Sequence, residues 1–334
     1  MLLTGSISVQ AADAAAANDP AVELIFTSVS VSGDSHTEAM YEFADKVEEL
    51  SGGSVTCKCY DNGSLFSSEN EFDALLNGDA DLAYISFPTI ATQIPSYSMF
   101  ASGYLFSSYE HMTSVLNGDI GLNKIRPQIE ETLNIKPLSS FYLGSRVINT
   151  REKEINSYDD MNGLLLRMPN SEAWLFLGEA LGANPTPLSF SELYTALQTG
   201  AVDAQDNPLP SIESAKFYEV TKYIAITNHV VDSIMPCING DTWNSMTEAQ
   251  QEAVTEAMEY ARDVNDTARL DREAELIKFF EEQGLTVTYP DITSLKKKFR
   301  LSTWKTKIMI QKNWGYGSLQ TKIQAMADTT TAEE

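Results

Sequence analysis

The sequence predicts an α/β protein, on three observations. Short β-rich apolar runs alternate with helix-spaced segments, the same rhythm restarts in a second half, and a long helical stretch follows. At 334 residues the chain exceeds what one core comfortably organises, so its length leaves two lobes or one large α/β unit as alternatives.

The elements follow in order. Val22 to Thr27 is a β-rich apolar run, and after a Ser/Gly loop the positions Met40, Phe43, Ala44, Val47 and Leu50 fall at helical spacing, stopped by Ser51-Gly52-Gly53. Ser54 to Tyr60 reads as a strand, Asp61-Asn62-Gly63 as a turn, Glu69 to Leu76 as a helix and Ala80 to Ile85 as a strand. Such alternation argues for a largely parallel sheet, with ligands beyond the carboxyl ends of its strands. After a loop-rich stretch and a helix near Glu110 to Asn117, Lys136 to Tyr142 and Gly163 to Met168 read as strands. A helix over Ser171 to Leu181, an extended Pro185 to Leu188, a helix over Ser191 to Gln198 and a strand at Ala201 to Ala204 make the second α/β succession. Strands are expected at Tyr223 to Thr227 and Ile234 to Asn239. A long helix then starts at a Thr247/Gln250 capping box and runs towards Gly284, either spanning both lobes or breaking near Asp266.

Composition narrows the function. With 23 Lys and Arg against 47 Asp and Glu, the net charge of −24 argues against binding nucleic acid or anionic lipid. An anionic ligand would have to be drawn in by a few buried arginines against that field. No run approaches the roughly 20 apolar residues of a membrane span. The small and apolar residues from Met1 to Ala17 resemble the tail of a secretory signal, although a basic n-region is missing. Cys57 and Cys59 share one face of a strand and cannot easily bridge each other, and with Cys237 they form no disulfide framework.

Catalytic signatures are absent. The only histidines are His36, His111 and His229, none in zinc-protease spacing, and a surface or cap role is expected for each. Neither a nucleophile elbow nor a phosphate-cradling glycine loop occurs. What stands out is Arg167, at the carboxyl end of an apolar strand, where a guanidinium needs either a bidentate carboxylate ligand or an internal acid. Arg146 raises the same question more weakly, as an arginine in a loop. Asn207, following Ala201 to Ala204, is either a turn former or an amide sharing a ligand oxygen with Arg167. Phe190 is either a stacking platform or a staple on the helix it precedes.

Gly163-Leu164-Leu165-Leu166-Arg167-Met168-Pro169-Asn170, Leu181 to Pro187, Phe190 to Gly200 and Val202 to Pro208, in this order and spacing, resemble the solute-binding proteins of tripartite ATP-independent periplasmic (TRAP) transporters. The similarity continues through Lys216 to Tyr223 and Thr227-Asn228-His229, and more loosely from Val22 to about Pro290. It implies the two-lobed periplasmic binding protein fold, with a cleft between lobes and a long bridging helix. The expected lobes are 22–143 plus about 233–272, and 144–232 plus about 273–334, after a signal-peptide remnant over 1–21.

By resemblance, Arg167 takes the ligand carboxylate with Asn207 beside it, Arg146 is a second ligand-contacting arginine and Phe190 packs on the ligand. Asn170, Ser86 and Glu69 complete the candidate set. The block is most similar to the sialic-acid-binding branch, but Ser86 replaces a Glu, the early Asn is replaced within Thr27 to Ser30, and Ala204 and Asp206 stand for the usual Gly and Glu. A small organic or sugar acid is therefore the expected ligand. No cofactor, metal or catalysis is expected, and the implied partners are TRAP membrane subunits contacted by a monomer outside the cytoplasm. A binding subunit for a sensor kinase or another transporter class is the first alternative, and a secreted enzyme acting on small acids is the second. The basic run from Lys296 to Lys312 departs from the family tail.

Overall fold

The structure is a computed structural model describing residues 19–293, 295, 296, 323 and 326. In chain order the described residues form β1 (Val22–Thr27), α1 (Ser35–Leu50), β2 (Val55–Tyr60), α2 (Glu71–Asn77), β3 (Leu82–Ile85), α3 (Phe87–Ile90), α4 (Tyr109–Leu116), α5 (Arg126–Leu133), β4 (Ile135–Pro137) and β5 (Phe141–Thr150). The chain continues through β6 (Leu165–Met168), α6 (Glu172–Ala180), β7 (Asn184–Pro187), α7 (Phe190–Thr199), β8 (Ala204–Pro208), α8 (Leu209–Ser214), β9 (Tyr223–Asn239), α9 (Gly240–Ser245), α10 (Glu248–Glu282) and β10 (Thr286–Thr288). The signal-like segment before residue 19 and the basic run beyond Lys296 lie outside the described residues.

The described residues divide into two compact units, 19–84, 125–141 and 235–266 against 85–124, 142–234 and those from 267 onward. The chain passes from one to the other inside β3, β5, β9 and α10, and between Lys124 and Ile125. Segment 85–124, expected in the first lobe, groups with the second unit, where α3 packs against α6.

In the first unit β2, β1 and β3 run parallel, and the end of β9 follows β3 with β4 antiparallel to it. Phe26 of β1 and Phe43 of α1 meet edge to face at 5.9 Å, the contact that the helical spacing of α1 predicts. His36, at the start of α1, packs on Tyr84 and Phe141. A surface role for the three histidines is corrected, since His36, His111 and His229 are all buried, while the rings of His36 and His111 do bond groups at their helix starts, Asp34 Oδ1 at 3.2 Å and Ser107 N at 3.2 Å.

The second unit is a sheet ordered β9-β5-β8-β6-β7, in which β6 runs parallel to both β7 and β8 while β5 is antiparallel to β8. Ile148, Leu166 and Met168 pack on one face with Trp174 and Leu177 of α6. Val147 packs on the other with Leu193 and Leu197 of α7 and Leu276 and Phe280 of α10. Strand alternation thus gives each face its own core.

The strand expectations change in two places. The strand placed at Ala201 to Ala204 is instead β8 over Ala204–Pro208, and the two strands placed within 223–239 are one. Helix α10 is unbroken past Asp266, opening on the expected box in which Thr247 Oγ1 accepts from Gln250 N at 3.3 Å and Gln250 Oε1 from Thr247 N at 3.1 Å.

Candidate functional site

Strand β8 organises the site. All five of its residues are buried, although Gln205, Asp206 and Asn207 are polar. Its register sets Asp206 opposite Ile148 and Pro208 opposite Arg146 of β5, and Gln205 opposite Arg167 of β6. Because β6 and β8 are parallel, Arg167 and Asn207 stand at the carboxyl edge of this sheet, and antiparallel β5 brings Arg146 to the same edge.

Arg167 is only 3% exposed, and its Nε donates to the Leu188 carbonyl at 2.8 Å, which holds the guanidinium along the segment leading into α7. Alternation gives it the same face as Gln205, its register partner, and Asn207, a diagonal neighbour within reach of a long side chain.

Arg146 does not lie in an exposed loop as local evidence suggested. It is a buried strand residue whose Nε and NH2 engage the Asp206 carboxylate at 2.8 and 3.0 Å and whose NH1 engages Asp232 at 2.9 Å. Its guanidinium carbon lies 4.5 Å from the centre of the Trp174 ring, and its NH2 also reaches Asn207 Oδ1 at 3.4 Å. Burial works against its charge, yet the two aspartates outweigh that and hold its pKa above the ordinary range. Burial likewise pushes Asp206 up, but Arg146 and the hydrogen bond from His229 more than reverse this, and the carboxyl lies below its usual range. For Asp232 burial prevails over Arg146, and its pKa is raised. Asp206, Asp232 and His229 escape local sequence reasoning, since Arg146 meets the two acids across 60 and 86 residues of chain.

The remaining candidates are dispersed. Asn207 is a strand residue, which corrects its reading as a turn former. Phe190 begins α7, is partly buried and meets Phe217 edge to face at 5.6 Å, so it packs against the core under the helix. Ser86 caps α3, its hydroxyl 2.9 Å from Thr89 Oγ1. Asn170 is exposed just past β6. Glu69, exposed in the first unit, accepts from Ser68 Oγ at 3.0 Å. Among the described residues no group of three or more His, Cys, Asp or Glu is arranged to hold a metal, and no helix is long and apolar enough to cross a membrane.

Comparison with known proteins gives this arrangement a family. The model of the bacterial extracellular solute-binding protein family 7, DctP, matches residues 26–307. The sialic acid-binding periplasmic protein SiaP of Vibrio cholerae is 34% identical over 254 residues, covering 76% of this chain and 78% of that protein. A TRAP periplasmic solute-binding protein of Roseobacter denitrificans, solved with bound 3-deoxy-D-manno-oct-2-ulosonic acid, superposes with a TM-score of 0.85 at 36% identity over 91% of this chain and 99% of that one. The sugar acid binding protein DctPAm of Advenella mimigardefordensis, in complex with galactonate, gives 0.86 at 25% identity over 93% and 99%. The chain shares the two-lobed α/β fold of these proteins and belongs to the bacterial extracellular solute-binding proteins of family 7, the solute-binding proteins of TRAP transporters.

Proposed function

We propose that the chain captures a sugar acid or a related small organic acid, without altering it chemically, and delivers it to TRAP membrane subunits. The observation that carries this reading is Arg167, buried at the carboxyl edge of the second unit's sheet on the same face as Asn207. A planar fork and an amide donor there suit a carboxylate, at about 1.5–3 kcal/mol for each hydrogen bond to a charged group. Arg146 supports Asn207 from its buried ion pairs, so its contribution to the ligand is through position. The acids bound by the relatives, 3-deoxy-D-manno-oct-2-ulosonic acid and galactonate, support the ligand class. Ser86, spending its hydroxyl on capping α3, favours such acids over sialic acid. The extracellular character of the family supports a place outside the cytoplasm.

A thermal-shift screen tests the proposal with 3-deoxy-D-manno-oct-2-ulosonate, D-galactonate, D-glucuronate, N-acetylneuraminate and C4-dicarboxylates. An acid at 100 times its Kd adds about 2.7 kcal/mol of stability and raises Tm. Arg167→Ala is expected to abolish that shift while remaining folded. A shift that survives Arg167→Ala, or no shift with any acid, overturns the reading.

A further inference from the structure

Strand β8 carries a row of amides beside the carboxylate site. Gln205 and Asn207 share the face of Arg167, and Asn149 of β5 is the register partner of Gln205. Thr221, Asn149, Gln205 and Asn207 are all buried, and their side chains form one continuous run of hydrogen bonds. Asn149 Nδ2 donates to the Tyr223 carbonyl at 3.0 Å and to Thr221 Oγ1 at 2.8 Å. Gln205 Nε2 donates to Asn149 Oδ1 at 3.0 Å, and Asn207 Nδ2 donates to Gln205 Oε1 at 2.6 Å.

The direction of such a run needs an anchor, because amide oxygen and nitrogen look alike end for end. A backbone carbonyl has no proton to give, so the Asn149 group facing Tyr223 is its NH2. Thr221 agrees: its hydroxyl donates to the Phe217 carbonyl at 2.8 Å and so accepts from Asn149. The Asn149 oxygen then faces Gln205, whose NH2 must meet it, and the Gln205 oxygen must receive from the NH2 of Asn207. At the far end Arg146, a donor only, reaches Asn207 Oδ1 and demands the same orientation.

We infer that Asn149 and Gln205 are positioning residues that preset Asn207 as a hydrogen-bond donor beside Arg167. This edge then offers donors only, and selects an ionised carboxylate over a neutral isostere that carries N–H groups. With Asn207 Oδ1 turned to Arg146 and one Nδ2 proton committed to Gln205, the second Nδ2 proton is what a ligand meets. The inference rests on the reading that Arg167 and Asn207 receive a carboxylate.

The test is a double-mutant cycle on the full chain with Gln205→Met and Asn207→Ala, read by calorimetric titration of 3-deoxy-D-manno-oct-2-ulosonate, D-galactonate and D-glucuronate. For the acid that the wild type binds tightest, each single variant loses about 10- to 100-fold in affinity. The double variant matches Asn207→Ala within about twofold, since Gln205 acts through Asn207. Losses that multiply overturn the inference, because a merely structural Gln205 acts independently of Asn207. Side-chain amide hydrogen exchange by NMR needs no ligand: the Asn207 amide is protected in the wild type and released in Gln205→Met, while Asn149 stays protected. An unprotected Asn207 in the wild type overturns the relay. Failure of all three acids to bind the wild type overturns the carboxylate reading and the selectivity drawn from it, while the exchange measurement still decides the relay.

Discussion

The two faces of β8 bury polar groups in opposite ways. On one, the Asp206 carboxylate pairs with the Arg146 guanidinium next to Trp174 and is also hydrogen-bonded by His229. On the other, Gln205 and Asn207 join Asn149 in a run of neutral amides beside Arg167. The ionic face resists truncation, because removing one partner strands the others in a low dielectric. The amide run holds little charge energy but fixes a direction, and direction is what the proposed carboxylate site needs from an amide.

The largest expected effect breaks the ionic face. Arg146→Met leaves Asp206 and Asp232 buried without their cation and is expected to cost about 3–5 kcal/mol in urea denaturation at pH 7. The pH dependence follows from Asp206. Its folded pKa is depressed, so its contribution is complete above the usual carboxylate range, near pH 4, and is lost as pH falls through the folded value. The gap between wild type and Arg146→Met should therefore narrow in acid. A gap of under about 1 kcal/mol at neutral pH would mean that the pairs resemble surface bridges.

Glu71 sharpens the comparison from the first unit. It is a buried carboxyl whose Oε2 has no hydrogen-bond partner among the described residues, and burial, helped by Glu69, raises its pKa well above the ordinary value. A raised carboxyl pKa means that the folded state binds more protons, so stability falls as pH rises from the unfolded value, near 4.3, through the folded one. Glu71→Gln should stabilise by on the order of 1 kcal/mol at pH 7 and by nothing below pH 4, read as Tm at both pH values. Destabilisation at pH 7 would show that the carboxylate has a role that Asp206 and its partners do not model.

Much of this frame is legible in the sequence because apolar periodicity reports backbone geometry. Val22 to Thr27 forms β1 as read, and the Thr247/Gln250 box opens a helix of 35 residues. Strand β8 defeats the same logic. Its polar residues are buried by pairing rather than by hydrophobicity, so apolar Val202 draws the expected strand too early. Strand β9 reads as two because Asn228, His229 and Asp232 interrupt its apolar run, yet it continues through Asn228 at a φ of 41° and binds His229 to Asp206. The motifs single out Arg167 and Asn207, which the register puts on one face of the sheet. The partners of Arg146 are not visible there, since a register between distant strands makes them neighbours.

The most direct test of the carboxylate site is to titrate the wild type with the sugar acid that it binds tightest and with the primary amide of that same acid. A site built from donors alone predicts that the acid binds at least about 100-fold more tightly than the amide, since a lost charged contact and an N–H set against an N–H both penalise the amide. Equal affinity for the two would contradict the account, placing the ligand's carboxylate away from Arg167 and Asn207.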